Sequence, residues 1–150
     1  MKKIVLIVLI IVIIVGVGGY FYLKQTNNKS KEILNEYISK ITDQKYDEMY
    51  EMINKESKQK ISKEDFISRN KKIYEGIDLS NITTEIKDVK NIGTKKEISY
   101  TEKMEASGGE ITFDNKVILN YENGYKISWS STLIFPDLED IDKVRVNTSK

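Results

Sequence analysis

The chain has 150 residues, 39% hydrophobic and 31% charged, with a formal net charge of +1, a balance that suits one folded domain of ordinary size. Without Lys2 and Lys3, 22 basic residues face 23 acidic ones, so the clustered basic surface that nucleic acid requires is missing. Cysteine and histidine are absent, which excludes disulfides, thiolate nucleophiles, Cys/His zinc sites and the usual general base near neutral pH.

Residues 4–23, IVLIVLIIVIIVGVGGYFYL, carry no charge. As a helix rising about 1.5 Å per residue, they span roughly 30 Å, the thickness of a bilayer core. Lys2 and Lys3 precede them, so the positive-inside rule puts the N-terminus in the cytoplasm and the body of the protein outside. Tyr20 and Tyr22 fall at the far end, where aromatic rings favour the interface. The run exceeds the apolar region of a signal peptide, about 7–15 residues, and lacks a small-x-small cleavage site with a polar lead-in. An uncleaved single span is expected. Gly16, Gly18 and Gly19 fit neither a dinucleotide loop nor a G-x-x-x-G pairing face, because the positions those patterns need hold Phe21 and Tyr20.

Lys24 to Ser30 reads as a polar linker, reaching at most about 25 Å if extended. Ile33, Leu34, Tyr37, Ile38 and Ile41 then recur at helical spacing. Tyr46, Met49, Tyr50 and Ile53 predict a second, short helix. Ser62, with Asp65 three residues on, begins a third, whose stripe is Phe66, Ile67, Ile73 and Tyr74 and whose stop is Gly76. Beyond Gly76 the period falls to two. Ile82, Thr84 and Ile86 open a strand, and Ile98, Tyr100 and Met104 share one face of the next. Ser107 to Gly109 is a turn, and Ile111, Phe113, Val117, Leu119 and Tyr121 alternate along a long third strand. Asn123-Gly124 is a type I′ hairpin signal, and Tyr125, Ile127 and Trp129 return from it. A last piece runs through Leu133 and Phe135 to Pro136, which ends pairing or marks an edge because it has no N–H to donate.

The expected fold class is α+β: an N-terminal transmembrane helix, then three helices packed on one side of an antiparallel sheet that curls into a cone. Residues 1–23 are the cytoplasmic start and anchor, 24–30 the linker, 31–138 the folded domain, and 139–150 an extended connector. "DKVRVNTSK" within that connector reads as a strand whose pairing partner is absent.

Three stretches carry a family resemblance: "KKIVLIVLIIVIIVGVGGYFY", "DQKYDEMYEMI" and "YENGYKISWSSTLIFPDLEDIDKVRV". Together they resemble the nuclear-transport-factor-2-like N-terminal domain of low-affinity class B penicillin-binding proteins. The positions that match the family's ending are Gly124, Trp129, Ser131, Leu133, Ile134, Pro136 and Leu138. The resemblance implies a cone-like fold and a membrane-anchored, non-catalytic pedestal that holds a transpeptidase domain toward peptidoglycan, a role linked to β-lactam resistance. It also implies that an Arg-Gly-x-Ile linker and a further domain follow such a module; no such motif occurs before Lys150. The implied partners are the cell membrane, through one span, and a transpeptidase domain or other cell-wall synthesis proteins.

Chemistry is sparse. "SKQK", Ser57 to Lys60, matches the acyl-enzyme pattern S-x-x-K, and "SRN", Ser68 to Asn70, matches S-x-N. A nucleophilic serine needs a buried helix start with its lysine one turn on, whereas Ser57 lies in a stretch that reads as solvated. "DLEDID", Asp137 to Asp142, lacks the ligand spacing and glycine of a calcium loop. Glu102 is the one carboxylate among the apolar strand positions and reads as an exposed strand end. No catalytic residue, metal site or cofactor is expected, and the chain is not read as an enzyme. Tyr100, Phe113 and Trp129 are the candidate lining of a pocket inside the cone, which leaves a stand-alone ligand-binding or sensor domain as the alternative function.

Overall fold

A computed structural model of the chain describes residues 2–130 and 145–147, with side chains for 11–13 and 15–130. Four helices, α1 (Lys2–Thr42), α2 (Tyr46–Met52), α3 (Lys55–Lys60) and α4 (Lys63–Gly76), precede four long or short strands, β1 (Leu79–Ile92), β2 (Lys95–Ala106), β3 (Gly109–Tyr121) and β4 (Tyr125–Ser128). A fifth strand, β5 (Arg145–Asn147), follows. The first four strands form an antiparallel meander in the order β1-β2-β3-β4. Helix α1 packs on β1 and β4, α4 on β1, and α2 against both α1 and α4.

The helical stripes read from the sequence supply the helix side of the core. Leu34, Tyr37, Ile38 and Ile41 of α1, Tyr46 and Met49 of α2, and Phe66 and Tyr74 of α4 are buried against Ile98, Tyr100, Met104, Phe113, Val117, Leu119 and Ile127 of the sheet. Ser62 caps α4, its hydroxyl accepting from the Asp65 N–H at 3.0 Å. Two register shifts in β1, at Ser80 and Lys87, each give β1 one residue more than β2. Such bulges bend a strand and increase its twist.

The turns follow from their glycines. Gly93 (φ 60°) opens a two-residue loop between the paired Ile92 and Lys95, as type II′ requires. Asn123 (φ 55°) and Gly124 (φ 134°) both take the positive φ expected of them. The loop has three residues, however, not two, because Tyr121 pairs with Tyr125, and the two rings meet edge to face at 5.5 Å.

Several expectations are corrected. Residues 24–30, read as a polar linker, are helical and lie in the middle of α1. Their polar side chains turn back onto the helix, Thr26 Oγ1 donating to the Leu23 carbonyl and Ser30 Oγ to that of Asn27, and Ser30 is fully buried. Tertiary contact here overrides weak helix propensity. A fourth helix, α3, stands where a solvated stretch was expected. Strand β5 is not without a partner: Arg145 to Asn147 pair antiparallel with Thr112 to Glu110 of β3. Among the described residues, no stretch of helix is long and apolar enough to cross a membrane; the side chains of residues 4–10 and 14 of the expected span lie outside them. So do Ser131, Leu133, Ile134, Phe135, Pro136 and Leu138, with the acidic run Asp137 to Asp142.

Candidate functional site

From Lys96 to Met104, every even-numbered side chain of β2 is buried. Two of these five are charged, Lys96 and Glu102, and at about 3.3 Å per residue they lie roughly 20 Å apart along the strand. They cannot neutralise each other, and the fold treats them differently.

Glu102 is 1% exposed, so it is not the strand end it was expected to be. It pairs across β2 with Thr84 of β1 and Phe113 of β3. Tyr37 of α1, Tyr74 of α4 and Tyr100 of β2 lie within electrostatic reach of its carboxyl. Both Glu102 carboxyl oxygens and the hydroxyls of Tyr37 and Tyr74 make no hydrogen bond. Burial pushes the Glu102 pKa up to about 8, opposed by Asn115 and Tyr100, which stand close without completing a well-aligned hydrogen bond. Burial first, and then the Glu102 charge, push the phenols of Tyr37, Tyr74 and Tyr100 upward as well. At neutral pH this buried cluster therefore holds a neutral acid among neutral phenols.

Catalysis needs a nucleophile or charge-stabilising donors converging on one reachable point, and Glu102 is closed off from solvent. Among the described residues, no group of three or more acidic side chains could hold a metal ion.

Tyr100, Phe113 and Trp129, the residues expected to line a pocket, stand in two different settings. Tyr100 and Phe113 are each 1% exposed, on neighbouring strands of the packed core. Trp129 lies beyond β4, half-buried, with its ring edge to face on Phe66 at 5.6 Å. Two surface grooves, one beside Glu51 and Lys126 and one beside Tyr22 and Tyr121, have none of the three in their walls.

Ser57 also differs from expectation, being buried in the first turn of α3. Asn54 caps that helix, its side chain accepting from the Ser57 N–H at 2.8 Å. The Ser57 hydroxyl accepts from the Trp129 N–H at 2.9 Å and donates to the Trp129 carbonyl at 3.3 Å. It is thus a bolt between α3 and the end of β4. Lys60 does not activate it, since its amine pairs with Glu56 at 2.6 Å in solvent. Asn70 of the S-x-N match is buried, its amide donating to the Phe66 carbonyl within α4.

Lys96 is the buried charge that the sequence reading missed. Its amine donates to Asn27 Oδ1 at 2.6 Å, to Thr26 Oγ1 at 3.2 Å, and to Asn91 Oδ1. Three neutral oxygens replace water, and burial lowers its pKa. Lys96 thereby clamps the β1–β2 hairpin to α1, three residues past the end of the apolar run. An open groove of about 910 Å³ lies at this clamp, between α1 and the tips of the β1–β2 and β3–β4 hairpins.

An antiparallel meander with helices packed on it is the architecture of the nuclear-transport-factor-2-like kind. The family described as NTF2-like N-terminal transpeptidase domain matches residues 29–142, and the chain belongs to it. Penicillin-binding protein 3 of Bacillus subtilis (strain 168) is 28% identical over 155 aligned positions, which take in 97% of this chain. The chain spans only 23% of the length of that relative.

Proposed function

We propose that the chain is a non-catalytic, membrane-anchored extracytoplasmic module, the pedestal of a penicillin-binding protein acting in peptidoglycan synthesis and β-lactam resistance. The observation that supports this most is where the exposed apolar side chains lie. Among the described residues, the large exposed hydrophobics run along α1 from Ile11 to Leu23, with only Ile92 and Tyr121 elsewhere. The same helix continues unbroken into the buried Leu34, Tyr37, Ile38 and Ile41. A helix apolar all round favours hydrocarbon over water, and Ile4 to Ile10 extend that character to the length of a span. In this reading residues 1–23 are the cytoplasmic start and anchor, 24–30 carry the helix across the interface, and 31–138 form the domain. The segment 139–150 leads toward a transpeptidase domain.

Native cysteine is absent, so single-cysteine variants report topology cleanly. In intact cells, Ser107→Cys should react with a membrane-impermeant maleimide, and Lys3→Cys only after lysis. The opposite pattern, or release of the chain by alkaline carbonate, overturns the reading. The chain itself should take up no fluorescent penicillin, with or without Ser57→Ala.

A second reading, a stand-alone ligand sensor, has one observation in its favour: the unpartnered Tyr37 and Tyr74 hydroxyls beside Glu102, which a small polar guest would satisfy. It requires a purified disaccharide-peptide from peptidoglycan to raise the unfolding temperature; an unchanged transition rejects it for that ligand.

A further inference from the structure

Two large hydrophobic residues outside α1 are exposed among the described residues, Ile92 at 50% and Tyr121 at 66%. They are far apart in sequence, yet both sit at hairpin ends. Ile92 closes β1 and Tyr121 closes β3. The two tips meet at one groove, where Tyr22 and Leu23 of α1 face Gly93, Thr94 and Tyr121. The Tyr125 phenol stands beside Thr26 and Tyr22. The tips therefore stand at the level where the apolar part of α1 ends, and Lys96 fixes that level through Thr26 and Asn27.

Charge follows the same placement. Lys29 and Lys95 line the groove, with Glu32 as its one acidic residue. Lys24, Lys29 and Lys95 are exposed, and among the described residues none of them is ion-paired. Aromatic and aliphatic side chains flanked by lysines are the composition that favours the headgroup layer of an anionic bilayer. Among the described residues, the opposite end of the sheet, at Ser107-Gly108, exposes no large apolar side chain.

We infer that the β1–β2 and β3–β4 hairpin tips rest on the outer face of the membrane, with Ile92 and Tyr121 in the headgroup layer and Lys24, Lys29 and Lys95 facing lipid phosphates. The inference rests on the anchored reading of α1. It goes further, because the domain then meets the bilayer at three points and is held at one tilt instead of swivelling on a single stalk.

The full chain, reconstituted in vesicles of phosphatidylcholine with phosphatidylglycerol, tests this. A single cysteine carries an environment-sensitive nitrobenzoxadiazole label at Thr94, at Ile13 or at Ser107. Thr94 and Ser107 flank β2 and are separated by roughly 40 Å of strand. The expected result is a blue-shifted Thr94→Cys probe quenched by headgroup-level spin-labelled lipid, a deeper Ile13→Cys probe, and a Ser107→Cys probe that behaves as in water. Adding Ile92→Ser and Tyr121→Ser should abolish the Thr94 shift and leave the Ile13 signal unchanged; both replaced residues are exposed. Retention of the Thr94 shift in that variant overturns the assigned contacts. A buried Ile13 probe with a water-like Thr94 probe overturns the inference alone and leaves the tips free for a protein partner. A water-like Ile13 probe overturns the anchored reading and the inference together.

Discussion

A carboxylic acid buried without a partner makes folding sensitive to pH. Burial raises the folded pKa of Glu102 to about 8 from an ordinary value of 4.5. Between these values the folded chain keeps a proton that the unfolded chain releases. Stability from this group is therefore complete below pH 4.5 and falls as pH rises toward 8. At pH 7 the loss is about 3 kcal/mol, at roughly 1.4 kcal/mol per pH unit. Glu102→Gln cannot ionise, so its urea midpoint should stay level between pH 5 and 8 where the parent's falls. Equal slopes for the two proteins would show that Glu102 ionises freely in the fold. The signal for its burial was in the sequence, because Ile98, Tyr100 and Met104 set a parity that position 102 shares. A charge at such a position reads as solvated until the tyrosines from α1 and α4 are seen to close over it. Ser57 is a parallel case. Ser57→Ala removes both bonds to the Trp129 backbone and should cost about 1–3 kcal/mol. Trp129 is the only tryptophan, so its emission should shift to the red as the end of β4 loosens; an unchanged spectrum and melting temperature would exclude the bolt.

At the scale of the element, legibility followed apolar periodicity. The stripes of α1, α2 and α4 and the alternation of β2 and β3 were readable because each buries one face. Helix α3, KESKQK, has no apolar stripe at all and exists because its ends are tied. Asn54 caps it, and the Asn54 N–H donates to the Ile127 carbonyl of β4 at 2.8 Å. Asn54→Ala should cost about 1 kcal/mol and speed amide exchange across Lys55 to Lys60 before any other helix. Exchange unchanged there would mean that packing alone holds α3. The continuity of α1 was hidden for the opposite reason. QTNNKS looks like a breaker, yet Thr26 and Ser30 bond back to the helix's own carbonyls and the distant Lys96 ties down the side-chain oxygens of Thr26 and Asn27. Lys96→Met keeps the aliphatic stem but strands the oxygens of Thr26, Asn27 and Asn91. Exchange at residues 91–95 should then accelerate selectively, and protection equal to the parent's would show that the clamp is dispensable.

For the whole molecule, the consequence of an unbroken α1 is that, in the anchored reading proposed above, residues 1–23 and the domain share one rigid axis. A flexible linker would let the domain ride at any height, whereas a helix fixes both height and rotation. Each added residue lifts the domain by about 1.5 Å and turns it by about 100°. Four alanines inserted after Lys24 leave the Lys96 clamp on Thr26 and Asn27 and the buried packing of Leu34, Tyr37, Ile38 and Ile41 in place, while moving Tyr22 and Leu23 away from the tips. They raise the domain by about 6 Å and rotate it by a net of about 40°. If the hairpin tips sit in the headgroup layer, that lift takes Ile92 and Tyr121 out of it. The Thr94 probe should become water-like, the Ile13 probe should stay buried, and the urea midpoint should not change. A Thr94 probe that stays at the interface after the insertion would mean that the helix bends between anchor and domain. The domain would then find the membrane by itself, through its lysines and exposed rings, and α1 would serve only as a tether.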